Sequence, residues 1–126
     1  METFLERYFA AAFVLAGLSH AVQPRAWAAA FAALRRSGHA GLIIALVTLP
    51  QGLVVVLGHN VWTLGAPLIL TLMGWAMTVK GSLYLLLPAL PDRVIPAEVQ
   101  YRRYMIPGVV MVAMGLALGA HVLRAG

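Results

Sequence analysis

The chain has 126 residues, 62% of them hydrophobic and only 10% charged, with a mean hydropathy of +0.88 and a formal net charge of +5. So apolar a composition excludes an ordinary soluble domain and places the chain in a bilayer. The absence of cysteine excludes disulfides, thiolate metal sites, covalent c-type haem attachment and cysteine nucleophiles, and the basic excess falls between apolar runs, which argues against nucleic acid as a partner.

The expected fold is all-α, a single integral membrane domain over 1–126 built as a four-helix transmembrane bundle. Its spans are expected at about 4–22, 40–58, 64–87 and 104–123, each near the roughly 20 residues that cross a hydrocarbon core of about 30 Å. The first run follows Glu2, Glu6 and Arg7, a poor positive region for a secretory signal, and is expected to stay as a membrane helix. His20 stands four residues before Pro24, at the far end of that run.

Residues 24–37 then read as a short interfacial amphipathic helix. Trp27, Phe31 and Leu34 make one stripe at i, i+4, i+7, Arg25, Arg35 and Arg36 face the headgroups, Pro24 starts it and Gly38 ends it. In the second run Pro50, Gln51 and Gly52 predict a kink. At its end His59 and Asn60 suit a C-terminal cap, with Asn60 tolerating a left-handed backbone and His59 complementing the helix dipole; Trp62 suits the interfacial aromatic belt.

The third run raises the sharpest question, since it carries Lys80 eight residues before Pro88. A lysine at the bilayer centre costs at least ~2.5 kcal/mol, which makes function a default hypothesis. About 12 Å of helical rise separates it from the end of the run, and its stem recovers part of that depth by snorkelling. Two readings follow: an anchor beside the phosphates, which is preferred, or one member of a polar pocket of His20, Lys80 and Tyr84. The following connection, PALPDRVIPAEVQYRR, is broken by Pro91 and Pro96 and carries Arg93, Arg102 and Arg103. In the fourth run His121 lies near the outer end, as His59 does, and a haem or metal between the two imidazoles is a weak further possibility.

Charge sets the orientation. Most arginines fall in the first and third connections, so the positive-inside rule puts these in the cytoplasm and both termini outside. The halves also align with each other. At an offset of 64 GLSHAVQP matches GSLYLLLP in glycine and proline, and Ala10 pairs with Gly74 and Val14 with Thr78. At an offset of 63 Ala45 pairs with Gly108 and Gly52 with Gly115. Two parallel helix-connection-helix repeats about an axis along the membrane normal are expected. Small residues at Gly17, Gly74, Gly81, Gly115 and Gly119 are expected to pack helices closely or to form an oligomer.

No serine, histidine and acid combination and no phosphate-binding glycine loop is present, and no catalytic residue, metal site or cofactor is expected. The expected role is non-enzymatic, as a homo-oligomer or an accessory subunit of a larger membrane complex. Arg25, Arg35, Arg36, Arg102 and Arg103 would contact anionic membrane lipids. The alternatives are a small-solute or ion transporter using Lys80 and a haem- or quinone-associated redox subunit.

The series His59-Asn60-Val61-Trp62, Gly74-Trp75, Lys80-Gly81 and Pro88 resembles a widespread group of small bacterial four-helix membrane proteins. That resemblance implies the fold and a bacterial inner membrane location, and carries no activity. LAGLSHAVQP with Trp27 is also similar to the opening of DoxX-like four-helix proteins, which supports the bundle only.

Overall fold

The computed structural model describes residues 1–93 and 102–125. Five α-helices and one 3-10 helix account for most of them: α1 Glu2–Val22, α2 Pro24–Arg36, α3 Ala40–Gly58, α4 Ala66–Leu86, the 3-10 helix Leu90–Arg93, and α5 Arg102–Ala125. There is no strand among the described residues.

The breaks have local causes. Gln23 leaves the helical region at φ −123°, ψ 51°, and Pro24, which has no N–H to lose, opens α2 one residue later. After α2 the chain turns at Gly38, whose φ of 78° is costly for any residue with a Cβ. Gly65, at φ 136°, and Pro67 together set the start of α4 at Ala66, so the third helix covers Ala66–Leu86 rather than 64–87. α3 has the expected bounds, 40–58, while α1 begins two residues earlier than expected and α5 runs two residues further at each end, as fraying helix termini do. Pro50 lies inside a continuous α3, and the Gln51 side-chain amide donates to the Val47 carbonyl one turn back (3.1 Å). The expected break at Pro96 falls outside the described residues.

α3, α4 and α5 are each long and apolar enough to cross a membrane. α1 has the length but, carrying Glu2, Glu6 and Arg7, is not among them.

Packing joins the helices as two antiparallel pairs, α1 with α5 and α3 with α4. Each pair closes on glycines. A Cβ on Gly17 would sit 2.7 Å from both the Gly108 carbonyl oxygen and the Val112 nitrogen, and one on Gly115 2.8 Å from the Val14 nitrogen and 2.9 Å from the Ala10 oxygen. In the other pair, a Cβ on Gly81 would sit 2.9 Å from the Leu49 nitrogen, and one on Gly52 2.6 Å from the Thr78 nitrogen and 3.0 Å from the Gly74 oxygen. These are the same contacts at the offsets read from sequence: Gly17 and Gly81, Val112 and Leu49, Gly115 and Gly52, Ala10 and Gly74, Val14 and Thr78 correspond. Small residues let the backbones touch, as helix association in lipid requires. Between the pairs lie Leu5, Phe9, Phe13, Val55, Leu70 and Leu118.

The stripe on α2 meets protein. The Trp27 indole N–H donates to Ser19 Oγ (2.8 Å), the Trp27 ring stacks on His20 with centroids 3.9 Å apart, and Phe31 stacks on Tyr104 of α5 at 5.2 Å. Trp27 and Phe31 are therefore half-buried against α1 and α5, while Arg25 and Arg36 stay exposed.

Candidate functional site

The buried polar residues gather at one end of the bundle, where α1 begins and α3 ends. Glu6 lies on the same stripe of α1 as Phe9 and Phe13, at i, i+3 and i+7, so helical periodicity turns it inward with them. Directly after α3, His59 has no solvent exposure. Its Nε2 is 2.8 Å from Glu6 Oε1 and its Nδ1 is 3.2 Å from Thr71 Oγ1 on α4. From α5, His121 Nε2 approaches the other carboxylate oxygen, Glu6 Oε2, at 3.9 Å, with about a third of its side chain exposed. Each long helix thus ends in, or contributes, one member of a single cluster.

Thr71 makes the cluster tolerant of proton number. Its hydroxyl oxygen accepts from the Val61 N–H (3.1 Å), and its one hydrogen has three acceptors in reach: His59 Nδ1 and the carbonyls of His59 (3.2 Å) and Pro67 (3.3 Å). With a neutral His59 that donates from Nε2 to Glu6, Thr71 donates to Nδ1. With an imidazolium, Nδ1–H donates to Thr71, whose hydrogen turns to a backbone carbonyl. Either state keeps its hydrogen bonds. No buried side-chain nitrogen or oxygen among the described residues lacks a partner, as a buried ion pair requires if it is not to cost stability.

At the offsets read from sequence this cluster is one-sided. Leu70 corresponds to Glu6 at the offset of 64, and Val122 corresponds to His59 at 63; both are apolar and buried. One half carries the polar pair and the other keeps the hydrocarbon equivalent.

The expectation that His59, Asn60 and Trp62 form an outer cap and anchor is corrected in part. His59 does end α3, its N–H bonding the Val55 carbonyl (2.7 Å), but its ring is inside and holds Glu6 and Thr71. Asn60 has no left-handed backbone, since no non-glycine residue among those described has positive φ. It works through its side chain instead: Oδ1 accepts the indole N–H of Trp62 (2.7 Å) and that of Trp75 (3.3 Å), which ties the exposed turn to α4. Asn60→Ala should weaken this tie by about 1 kcal/mol; reduced near-UV tryptophan circular dichroism at unchanged helix content is the expected sign, and an unchanged spectrum would count against it.

The expected His20, Lys80 and Tyr84 grouping comes together in one half only. Lys80 Nζ lies 5.7 Å from the centroid of the Tyr84 ring one turn along α4. Lys80 is exposed beside Val79 and Leu83, on the outward face of the bundle, while Tyr84 is buried beneath it. His20 is engaged elsewhere, with Nδ1 2.7 Å from the Ala16 carbonyl and its ring on Trp27. Arg102 and Arg103 are exposed in the first turn of α5 and Arg35 is half-buried near the end of α2.

Of the glycines singled out, Gly17, Gly74, Gly81 and Gly115 lie at close approaches, Gly74 against Val55. Gly119 does not, since a Cβ there would meet only the Ala10 Cβ at 3.9 Å. His59 and His121 address different oxygens of Glu6, and no set of three or more His, Asp or Glu among the described residues is arranged to hold a metal.

Glu6 and Thr71 are the members that sequence reasoning missed. The signal for Glu6 was its place on the Phe9 and Phe13 stripe; for Thr71 it was a hydroxyl in the middle of a stripe of small residues. The chain matches no protein family, no curated protein and no solved structure.

Proposed function

We propose that the chain is a four-span integral membrane protein of the bacterial inner membrane, with α1, α3, α4 and α5 crossing, both termini outside and the arginine-rich end in the cytoplasm. In this reading it is built from two parallel repeats and acts without catalysing a reaction, as a homo-oligomer or an accessory subunit of a larger membrane assembly. The observation that carries it is an inversion of polarity. Large apolar side chains such as Leu46, Val47, Leu57, Leu72, Val79, Leu86, Val109 and Leu116 face outward, while Glu6, His59 and Thr71 are buried. Water rewards the opposite arrangement, and lipid or a hydrophobic partner rewards this one.

The assignment of α1 as a span rests on Glu6. Paired to His59 inside the bundle, its carboxylate is not presented to lipid, which leaves Arg7 near the helix end as the charge to be accommodated by snorkelling. The outward position of Lys80, stacked on Tyr84, favours an anchor or a partner contact over a solute path through the bundle.

Native mass spectrometry of the protein gently extracted from its own membrane tests the reading. Several copies of this chain, or a reproducible second protein, are the expected results; a lone chain would overturn the assembly, and absence of the chain from the membrane fraction would overturn the membrane location. Reversing Arg35 and Arg36 to glutamate should also lower retention of anionic lipid by about thirtyfold or more, at about 1 kcal/mol for each charge lost and more for its reversal; equal retention would remove the headgroup contact.

A further inference from the structure

On the outer half of the α1 and α5 pair, two cavities of about 590 and 420 Å³ share Ala10, Gly119 and Leu123 and so form one groove. Its walls are hydrocarbon: Val14, Leu15 and Leu116 stand along it, and Gly119 opens its floor. From Arg7 to Leu15 the groove follows α1 for about 12 Å, close to the depth of one leaflet of a core about 30 Å thick. It is not hydrocarbon throughout. Arg7 lines its mouth at the end near the termini; Arg124 follows the lining residue Leu123 in sequence, and its Nε donates to the carbonyl of Ala120, another lining residue (3.4 Å).

We infer that this groove binds one acyl chain of an anionic phospholipid, with the lipid phosphate at Arg7 and Arg124. The two halves of such a ligand match the two halves of the site: a methylene chain along the apolar walls, and a phosphate at a mouth lined by the Arg7 guanidinium, a planar donor, with Arg124 next to the lining residue Leu123. Glu6, the acid beside Arg7 in sequence, is turned into the bundle and held by His59. The site lies at the opposite end from Arg25, Arg35, Arg36, Arg102 and Arg103 and is distinct from any contact these make with cytoplasmic headgroups. It rests on the membrane reading proposed above.

The geometry offers a substitution that fills the groove and spares the bundle. Gly119→Leu points a side chain into open space, since its Cβ meets only Ala10 at 3.9 Å, unlike the glycines that touch backbone. The test uses the full chain in nanodiscs of mixed phosphatidylglycerol and phosphatidylcholine, released for native mass spectrometry. Wild type should retain one phosphatidylglycerol in preference to phosphatidylcholine. Gly119→Leu should lose that retained lipid by about tenfold while melting as wild type does, and Arg7→Gln should reduce the preference for the anionic lipid about fivefold, as expected for about 1 kcal/mol per charge. Equal retention in Gly119→Leu would overturn the proposal, and so would dimers that vanish in that variant, because they would assign the groove to a second copy. If the chain does not partition into membranes at all, the membrane reading itself fails; if it partitions and only the retained lipid is unaffected, the groove alone is wrong.

Discussion

Glu6→Ala should cost the bundle about 3 kcal/mol, because it strands a buried imidazole whose Nε2 then has no acceptor. The effect should appear as a lower unfolding midpoint in detergent at unchanged helix content. The same offsets supply a sharper variant. Leu70 and Val122 occupy the places that correspond to Glu6 and His59, so the double change Glu6→Leu with His59→Val installs a pair the fold already tolerates in its other half. It should recover most of the lost stability, since replacing both partners of a buried pair by apolar groups is often neutral whereas removing one is not. Thr71 would keep the Val61 N–H and the Pro67 carbonyl as partners. A double variant no more stable than Glu6→Ala would refute the account of the cluster as a paired clasp. If it is stable and yet loses its oligomer or partner, the polar pair was kept for assembly rather than for the fold.

The second large effect belongs to Gly17. A Cβ there falls 2.7 Å from a backbone oxygen and a backbone nitrogen of α5, and backbone cannot rotate away as a side chain can. Gly17→Val must separate α1 from α5 along their main contact, and a cost of about 3 kcal/mol, the upper part of the range for overpacking, is expected. Gly119→Leu serves as its control. Both add apolar bulk to the α1 and α5 pair, but only the first meets backbone, so a similar loss in the two variants would mean that bulk in general, and not this approach, is the cause. Unfolding midpoints in one detergent, measured side by side, decide the matter.

Much of the architecture was legible because it is written locally. Apolar runs, Pro24 and Gly38 delimit helices, and α2 ends at Arg36, one residue from where Gly38 suggested, whereas Gly65, which sets the start of α4, falls inside the expected span. The offsets that pair Gly17 with Gly81 and Gly52 with Gly115 were legible too, and all four glycines lie at close helix contacts. The pairing of α1 with α5 was not, because it joins the first helix to the last and depends on which small-residue faces meet. For the same reason the site was hidden: Glu6 and His59 are 53 residues apart, and an acid in the second turn of a helix reads as a terminal charge until packing turns it inward. The polar residues that stood out in sequence, Lys80 and Trp62, stood out because they face outward from apolar surroundings; the ones that meet are those that the core conceals.

The pairing of the first helix with the last also constrains how the chain is made. On the membrane reading proposed above, with helices entering the bilayer in order of synthesis, α1 arrives with a carboxylate whose partner, His59, has not yet been translated, and with a glycine face whose match on α5 comes later still. Until then α3 and α4 can close on each other, but α1 must be held by the insertion machinery or stay near the surface. A ribosome stalled before His59 should therefore leave α1 extractable, and commitment of the first helix to the bilayer would be a late event in the biogenesis of this protein.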